Sequence, residues 1–171
     1  MIWTFEVIGK PRPKGSMVCQ GGRQHHMVED NPASKPWKLE MIRAIRQQLD
    51  IRPVKAGNRI IGWEKEADDP HVYSWERWEP YAGPVWVYAK CNFKRKIGAD
   101  GEIIEMHRGG IENATDIGDT DKLYRNIGDA LEQSGLLAND RQNLRWPGEG
   151  KRWCVADEQP GVIVKVVSRD H

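Results

Sequence analysis

Three aspartates around one predicted helix are the residues of this chain best suited to chemistry. Asp119 and Asp121 stand at the start of that helix, and Asp140 follows its end. Carboxylate oxygens are the ligands that Mg²⁺ prefers, and buried carboxylates that crowd together repel one another unless a cation lies between them. The spacing therefore suits a divalent-cation site. An Asp-x-Asp pair is also a common helix cap, so the pair alone leaves both interpretations open.

Basic residues accompany these acids. Lys122 and Arg125 lie within the first turns of the same predicted helix. Residues 9–28 and 90–96 contain several lysines and arginines but no acid. The candidates for contact with DNA in these segments are Lys10, Arg12, Lys14, Lys94, Arg95 and Lys96. Positive segments around an acidic centre suit a metal-dependent site that holds a phosphodiester, although each segment could equally be a solvated charged loop.

The helix that must position the aspartates is amphipathic. Its predicted buried stripe consists of Leu123, Ile127, Ala130, Leu131 and Ser134. Its other face carries Asp121, Arg125, Gly128 and Glu132. Asp119 stands where a carboxylate caps exposed backbone N–H groups, and Gly135 where a glycine ends a helix. Asp129 could form an ion pair with Arg125 or Lys122, or could cap nearby backbone.

The other elements predict an α/β (α+β) chain. Alternating apolar residues predict strands over 2–8, 84–93, 151–156 and 162–167. The last two strands are expected to form a hairpin, and a second amphipathic helix is predicted over 36–49. Polar loops are predicted over 97–117 and 145–150. We therefore expect a single domain over 1–171, in which a mixed β-sheet is covered by two amphipathic helices.

Residues 52–83 predict a tryptophan-rich insertion. The segment contains Trp63, Trp75 and Trp78 among mixed charges, prolines and glycines, without a clean period. Aromatic side chains in a polar loop could stack on unpaired bases. The commoner use of such side chains is to hold a long loop against the body of the protein.

Composition excludes several classes of protein. Hydrophobic residues make up 39% and charged residues 30% of the chain, which is typical of a folded globular domain. The formal net charge of +1 gives no overall attraction for nucleic acid. No signal-peptide pattern and no membrane-spanning run is apparent. Three widely spaced cysteines indicate reduced thiols rather than a zinc site, and we expect a cytoplasmic protein that does not bind a membrane.

The motif around the predicted helix resembles that of the RusA family of Holliday-junction resolvases, which are frequent in phages and prophages. The similar positions are Asp119-Thr120-Asp121, Arg125, Asp129-Ala130-Leu131, Gly135-Leu136, Asp140 and Gln142. The N-terminal segment from Gly9 to Lys14 is also similar to many members. This chain departs from the family pattern in three places, where Lys122 replaces asparagine, Arg125 replaces lysine and Asn139 replaces an acid.

The resemblance implies a Mg²⁺-dependent endonuclease that resolves four-way DNA junctions by paired symmetric nicks in recombination and repair. It implies Asp119, Asp121 and Asp140 as ligands of Mg²⁺, with Mn²⁺ as a substitute, and Arg125 in the place of the functional lysine. Arginine cannot donate a proton as lysine can, so Lys122 would have to supply any titratable amine. A homodimer in a bacterial or phage-infected cell is also implied.

Two other functions remain open. The three departures from the family pattern are compatible with a catalytically weak or inactive protein that binds DNA junctions. A glycosyltransferase could use Asp-x-Asp to hold a nucleotide diphosphate. Such an enzyme usually has a nucleotide-binding half and an acceptor half, which together need more than 171 residues.

Overall fold

A computed structural model describes residues 1–20, 26–29, 31–67, 74–95, 97–99, 101–102, 119–140, 144–147, 149–155 and 157–169. In chain order, its elements are β1 Ile2–Ile8, β2 Met17–Gln20, β3 His26–Glu29, α1 Ser34–Leu49, β4 Ile51–Ala56, β5 Arg59–Glu66, β6 Trp75–Trp78, β7 Val85–Phe93, α2 Thr120–Ser134, β8 Leu144–Arg145, β9 Glu149–Trp153 and β10 Gly161–Ser168. Most of the predicted loop 97–117 lies outside the described residues. No helix in the described part of the chain has the length and apolar character needed to span a bilayer.

The main sheet is mixed, as the sequence predicts. Strands β1, β10 and β7 pair antiparallel in that order, and β8 and β9 both pair parallel to β7. The two helices bury their apolar faces in one core with this sheet. Val85, Val87 and Ala89 of β7 are completely buried, which identifies β7 as the centre of the core. The predicted α+β class, a single domain with a mixed sheet covered by two helices, is confirmed.

The predicted terminal hairpin is wrong. β9 and β10 are neighbours in the sequence, but they do not pair with each other. They lie on opposite edges of β7, and each pairs with it. A completely buried central strand needs a hydrogen-bonding neighbour at each edge, and these two strands supply them. The start of β9 at Glu149 and the second residue of β8, Arg145, also fall within residues 145–150, which the sequence predicts as a connector.

Residues 51–66 and 75–78 form a second sheet where the sequence predicts a segment without a regular period. Strands β4, β5 and β6 pair antiparallel in chain order. None of the residues of β5 is fully buried. A strand that is only partly covered on both faces produces no alternation of apolar and polar residues, so the usual sequence pattern is missing.

Two tryptophans attach this second sheet to the end of α2. Gly135 ends α2 in the left-handed conformation with φ 89°, as predicted. The indole Nε1 of Trp78 donates to the carbonyl oxygen of Gly135 at 2.7 Å. The ring of Trp63 lies so close that a Cβ on Gly135 would come within 2.4 Å of it. Trp63 and Trp78 therefore hold this segment against the body of the protein.

Arg46 of α1 completes this junction. Its guanidinium donates to the carbonyl oxygen of Gln133 at 2.8 Å and lies 4.9 Å from the ring centroid of Trp63. The carbonyls at a helix C-terminus carry partial negative charge, so a cation is favourable there. Burial lowers the pKa of Arg46 from its usual value.

Both cysteines whose side chains the structure describes are free thiols. Cys91 lies in the core strand β7, and burial raises its pKa to about 12. Cys154 is also buried, and burial raises its pKa. Both thiols therefore stay protonated at neutral pH, which makes them poor nucleophiles.

We predict that Gly135→Ala lowers the free energy of unfolding by about 2–5 kcal/mol, because alanine is strained at this positive φ and its Cβ also collides with Trp63. Gly57→Ala is the matched control, since Gly57 has φ 59° and no atom near the position of an added Cβ. The control should lose only about 1–2 kcal/mol. Urea unfolding of both variants measures the difference, and equal losses would show that Trp63 does not press on Gly135.

Candidate functional site

A cleft of about 340 Å³ lies beside the first half of α2. Its lining comes from the N-terminal loop, from α2 and from the chain that follows α2. The lining residues are Lys14, Asp121, Tyr124, Arg125, Gly128, Asp129, Asp140 and Trp146. The cleft thus combines carboxylates, cations and aromatic rings, the side-chain types that bind metal ions, phosphates and bases.

Asp140 reaches this cleft because the chain turns back after α2. Gly135 reverses the chain, and Leu136 and Leu137 are then buried in the core. Backbone hydrogen bonds tie this segment to Tyr81, whose N–H donates to Leu136 and whose carbonyl accepts from Ala138. As a result Asp140 lines the same cleft as Asp121, although α2 separates them in the sequence.

Asp121 forms an ion pair with Arg125 one turn further along α2. Both side chains are largely exposed, at 59% and 64%. Ion pairs of this kind on a helix surface contribute only about 0.3–0.5 kcal/mol. Arg125 can therefore exchange its carboxylate partner for a phosphate at little cost.

Asp119 has a different environment from the other two predicted ligands. It occupies the N-cap position, as predicted, but its side chain makes no capping hydrogen bond. Its carboxylate is 70% exposed and lies 3.6 Å from the ammonium of Lys122, which also donates to the hydroxyl of Ser16. Neither Asp119 nor Lys122 lines the cleft.

Two carboxylates that line the cleft, Asp121 and Asp140, are of the ligand type that Mg²⁺ prefers. No three Asp, Glu, His or Cys side chains within the described ranges are grouped closely enough to hold a metal ion. Mg²⁺ is usually held by one or two carboxylates, with waters and substrate phosphates as its other ligands. Asp121 and Asp140 could provide such a pair. The site of three carboxylates that includes Asp119 remains a prediction.

Asp129 connects three parts of the chain. Its Oδ2 lies 2.7 Å from the ammonium of Lys14 and 3.5 Å from that of Lys38, so its partners come from the N-terminal loop and from α1. The expected pairing of Asp129 with Arg125 or Lys122 is wrong. The residue lies toward the helix face that packs against α1 and the loop, and only 14% of its side chain is exposed.

The N-terminal loop is bound to α2 through its backbone as well. The N–H of Lys14 donates to the carbonyl of Lys122 at 3.1 Å, and the side-chain amide of Asn126 donates to the carbonyl of Arg12 at 2.9 Å. Asn126 is buried and Arg12 is half-buried, so this hydrogen bond is partly shielded from water. These contacts fix Lys14 at the edge of the cleft.

Of the residues predicted to contact DNA that the structure describes, Lys14 alone lines this cleft. Lys10 and Lys94 are exposed, and Arg12 and Arg95 are half-buried elsewhere. Lys96 lies outside the described residues, as does Gln142.

Two stacked aromatic side chains, Tyr124 and Trp146, line the cleft and form what we call the aromatic wall, which was not predicted from the sequence. Tyr124 and Trp146 stack with their ring centroids 4.5 Å apart and an angle of 5° between the ring planes. Tyr124 shares a helix face with Asp121 and Gly128, and this periodicity is a signal that the sequence does contain. The position of Trp146, in a loop beyond Asp140, depends on long-range folding and left no such signal.

A search of protein-family models finds no match for this chain, and a search of curated protein sequences finds none either.

We predict that Asp129→Asn lowers the free energy of unfolding by about 1.5–3 kcal/mol, because two partly buried ammonium groups lose their charged acceptor. The matched control is Glu40→Gln, which breaks an exposed ion pair with Arg43 and should change stability by less than about 0.5 kcal/mol. Urea unfolding at low salt measures both. Equal small effects would mean that Asp129 does not hold the loop in place.

For Gly128, which lies inside α2, we predict that replacement by alanine stabilises the protein. A Cβ on Gly128 would lie 4.0 Å from Cζ2 of Trp146, an ordinary contact distance. Gly128→Ala should therefore raise the free energy of unfolding by about 0.5–1 kcal/mol, the usual gain for this change inside a helix. A loss of stability in thermal or urea unfolding would show that Trp146 packs against α2 more closely than the structure indicates.

Proposed function

We propose that this chain is a Mg²⁺-dependent, structure-selective DNA endonuclease that resolves four-way junctions by paired symmetric nicks. The observation that carries the proposal is that Asp121 and Asp140 line one cleft together with Lys14 and Arg125. The resemblance of the surrounding motif to the RusA family supports the choice of branched DNA as the substrate.

Hydrolysis of a phosphodiester needs an activated water and relief of the negative charge that develops on the phosphate. Bound Mg²⁺ would lower the pKa of a coordinated water and neutralise part of that charge. In this proposal Asp121 and Asp140 hold the ion, with Asp119 as the further predicted ligand. Arg125 binds the phosphate through its planar fork of donors.

A titratable amine beside the phosphate could come from Lys14 instead of Lys122, the residue considered from the sequence. The ammonium of Lys122 is engaged by Asp119 and Ser16, away from the cleft lining. Lys14 lines the cleft, and Asp129 orients its ammonium. If the reaction uses an amine beside the scissile phosphate, we therefore assign that role to Lys14.

Symmetric resolution of a junction requires two nicks in opposing strands. A two-fold homodimer would present two copies of the cleft at a fixed separation, which meets this requirement. The dimer belongs to the proposal and follows from the chemistry of the substrate.

A second candidate is a junction-binding protein with little or no catalysis. The ion pairs of Asp119 with Lys122 and of Asp121 with Arg125 favour it, because they occupy the predicted ligands with cations of the same chain. This candidate predicts tight binding of junctions without cleavage, whether or not Mg²⁺ is present.

We predict that the purified protein nicks a labelled four-way junction in Mg²⁺ or Mn²⁺, and that Asp121→Asn and Asp140→Asn each reduce the rate by at least roughly 100-fold. Both variants should still bind the junction, because the cations of the cleft remain. Asp50→Asn is the control, since Asp50 is an exposed residue at the C-cap of α1 and outside the cleft.

Denaturing gels report cleavage, and gel shifts without metal report binding. Binding without any nicking by the unmodified protein would favour the second candidate. Absence of both activities would reject both functions. Full activity of either variant would remove that aspartate from the site.

A further inference from the structure

The aromatic wall formed by Tyr124 and Trp146 is the one part of the cleft that phosphodiester hydrolysis does not itself require. The two rings stack almost parallel, and both are only partly buried while they line the cleft. Beside them α2 carries Gly128, where a side chain would extend toward Trp146. Trp146 therefore lies beside the buried Gly128 of α2, and both rings line the cleft together with its charged residues.

Three other tryptophans of this protein lie against arginine side chains. Guanidinium groups lie over the rings of Trp63, Trp75 and Trp86, at 4.9, 3.6 and 4.7 Å from the ring centroids. Among the described residues, no guanidinium covers the ring of Trp146 in this way. The ring of Trp146, which lines a polar cleft without a guanidinium over it, is suited to a planar, uncharged ligand group.

We propose that one unpaired nucleobase at the branch point of the DNA stacks against the pair formed by Tyr124 and Trp146. This inference rests on the proposed function, and it explains why the protein would prefer branched DNA. Base–aromatic stacking is favourable for every base because each has a flat π-face, so the contact recognises an accessible base rather than a sequence.

The charges around the wall fit the rest of a nucleotide. Lys14 and Arg125 line the same cleft and can bind the phosphate attached to the stacked base. The cleft volume of about 340 Å³ falls at the lower end of the range for small-ligand sites, roughly 300–1,000 Å³. One nucleotide, with its base on the rings and its phosphate on the cations, matches both the size and the chemistry.

The preference for junctions over linear duplex follows from the free energy needed to unpair and unstack a base. In a continuous duplex a base must be unpaired and unstacked before it can enter a pocket, which costs a few kcal/mol. At a branch point the stacking is already interrupted, so the same contact costs less. The aromatic wall would then favour junctions over linear duplex without reading their sequence.

The test compares junction and duplex affinities of Trp146→Leu in metal-free buffer. We expect the variant to bind the junction about 5–150-fold more weakly, while its affinity for a linear duplex stays unchanged. Trp146→Phe keeps an aromatic face and should retain most of the preference. Trp75→Leu is the matched control, because it makes the same change in a ring that Arg52 covers and that does not line the cleft.

A second measurement uses the unmodified protein and so does not depend on how the variants fold. Ultraviolet crosslinking of a junction with 5-iodouracil at the branch point, followed by mass spectrometry, should place the crosslink on Trp146 or Tyr124. Crosslinks found only on other residues would overturn the inference, as would an unchanged junction preference in Trp146→Leu. Junction binding that persists in those cases leaves the proposed function standing, whereas absence of any junction preference in the unmodified protein rejects both.

Discussion

The ion pairs of Asp129 with Lys14 and Lys38 are the interaction on which the candidate site depends. One carboxylate oxygen brings together the loop after β1, the helix α1 and the middle of α2. The loop contains no regular secondary structure before Met17, and prolines at 11 and 13 remove two of its backbone donors. Its position on α2 therefore rests on a few specific contacts. Because these contacts fix Lys14 at the cleft, the electrostatics of the cleft depend on Asp129, for which the sequence left an ion pair with Arg125 or Lys122 and a backbone cap as alternatives.

Two of the three carboxylates that line the cleft pair with cations of the same chain. Asp121 has Arg125 as its partner, and Asp129 has two lysines. A divalent cation that binds Asp121 must compete with a guanidinium, but the competing ion pair is exposed and therefore weak. A phosphate entering the cleft offers Arg125 a new partner at the same time as the cation takes the carboxylate. In the proposed function, metal and substrate would therefore bind together more favourably than either alone.

The sequence predicted those parts of the fold that have strong amphipathic patterns. The bounds of β1, the buried stripe of α2 and the stop at Gly135 all follow from local periodicity and capping rules, which act within a few residues. The sheet β4–β6 escaped prediction because its strands are only partly buried. The wrong hairpin assumed that neighbours in sequence pair, whereas β7 lies between β9 and β10. Of the site residues predicted from the sequence, Asp121, Asp140 and Arg125 line the cleft, whereas Asp119 and Lys122 do not. The partners of Asp129 and the stacking of Tyr124 on Trp146 depend on distant segments that local rules do not connect.

The central claim is that Asp121 and Asp140 share a divalent cation in the cleft beside α2. The most direct measurement is anomalous diffraction from crystals of the protein grown with Mn²⁺ and a junction whose scissile phosphates resist cleavage. The account predicts an Mn²⁺ ion coordinated by both carboxylates and by a phosphate oxygen, with Arg125 turned from Asp121 to the same phosphate. A bound junction with no ion at these carboxylates, and with Arg125 still paired to Asp121, would contradict it.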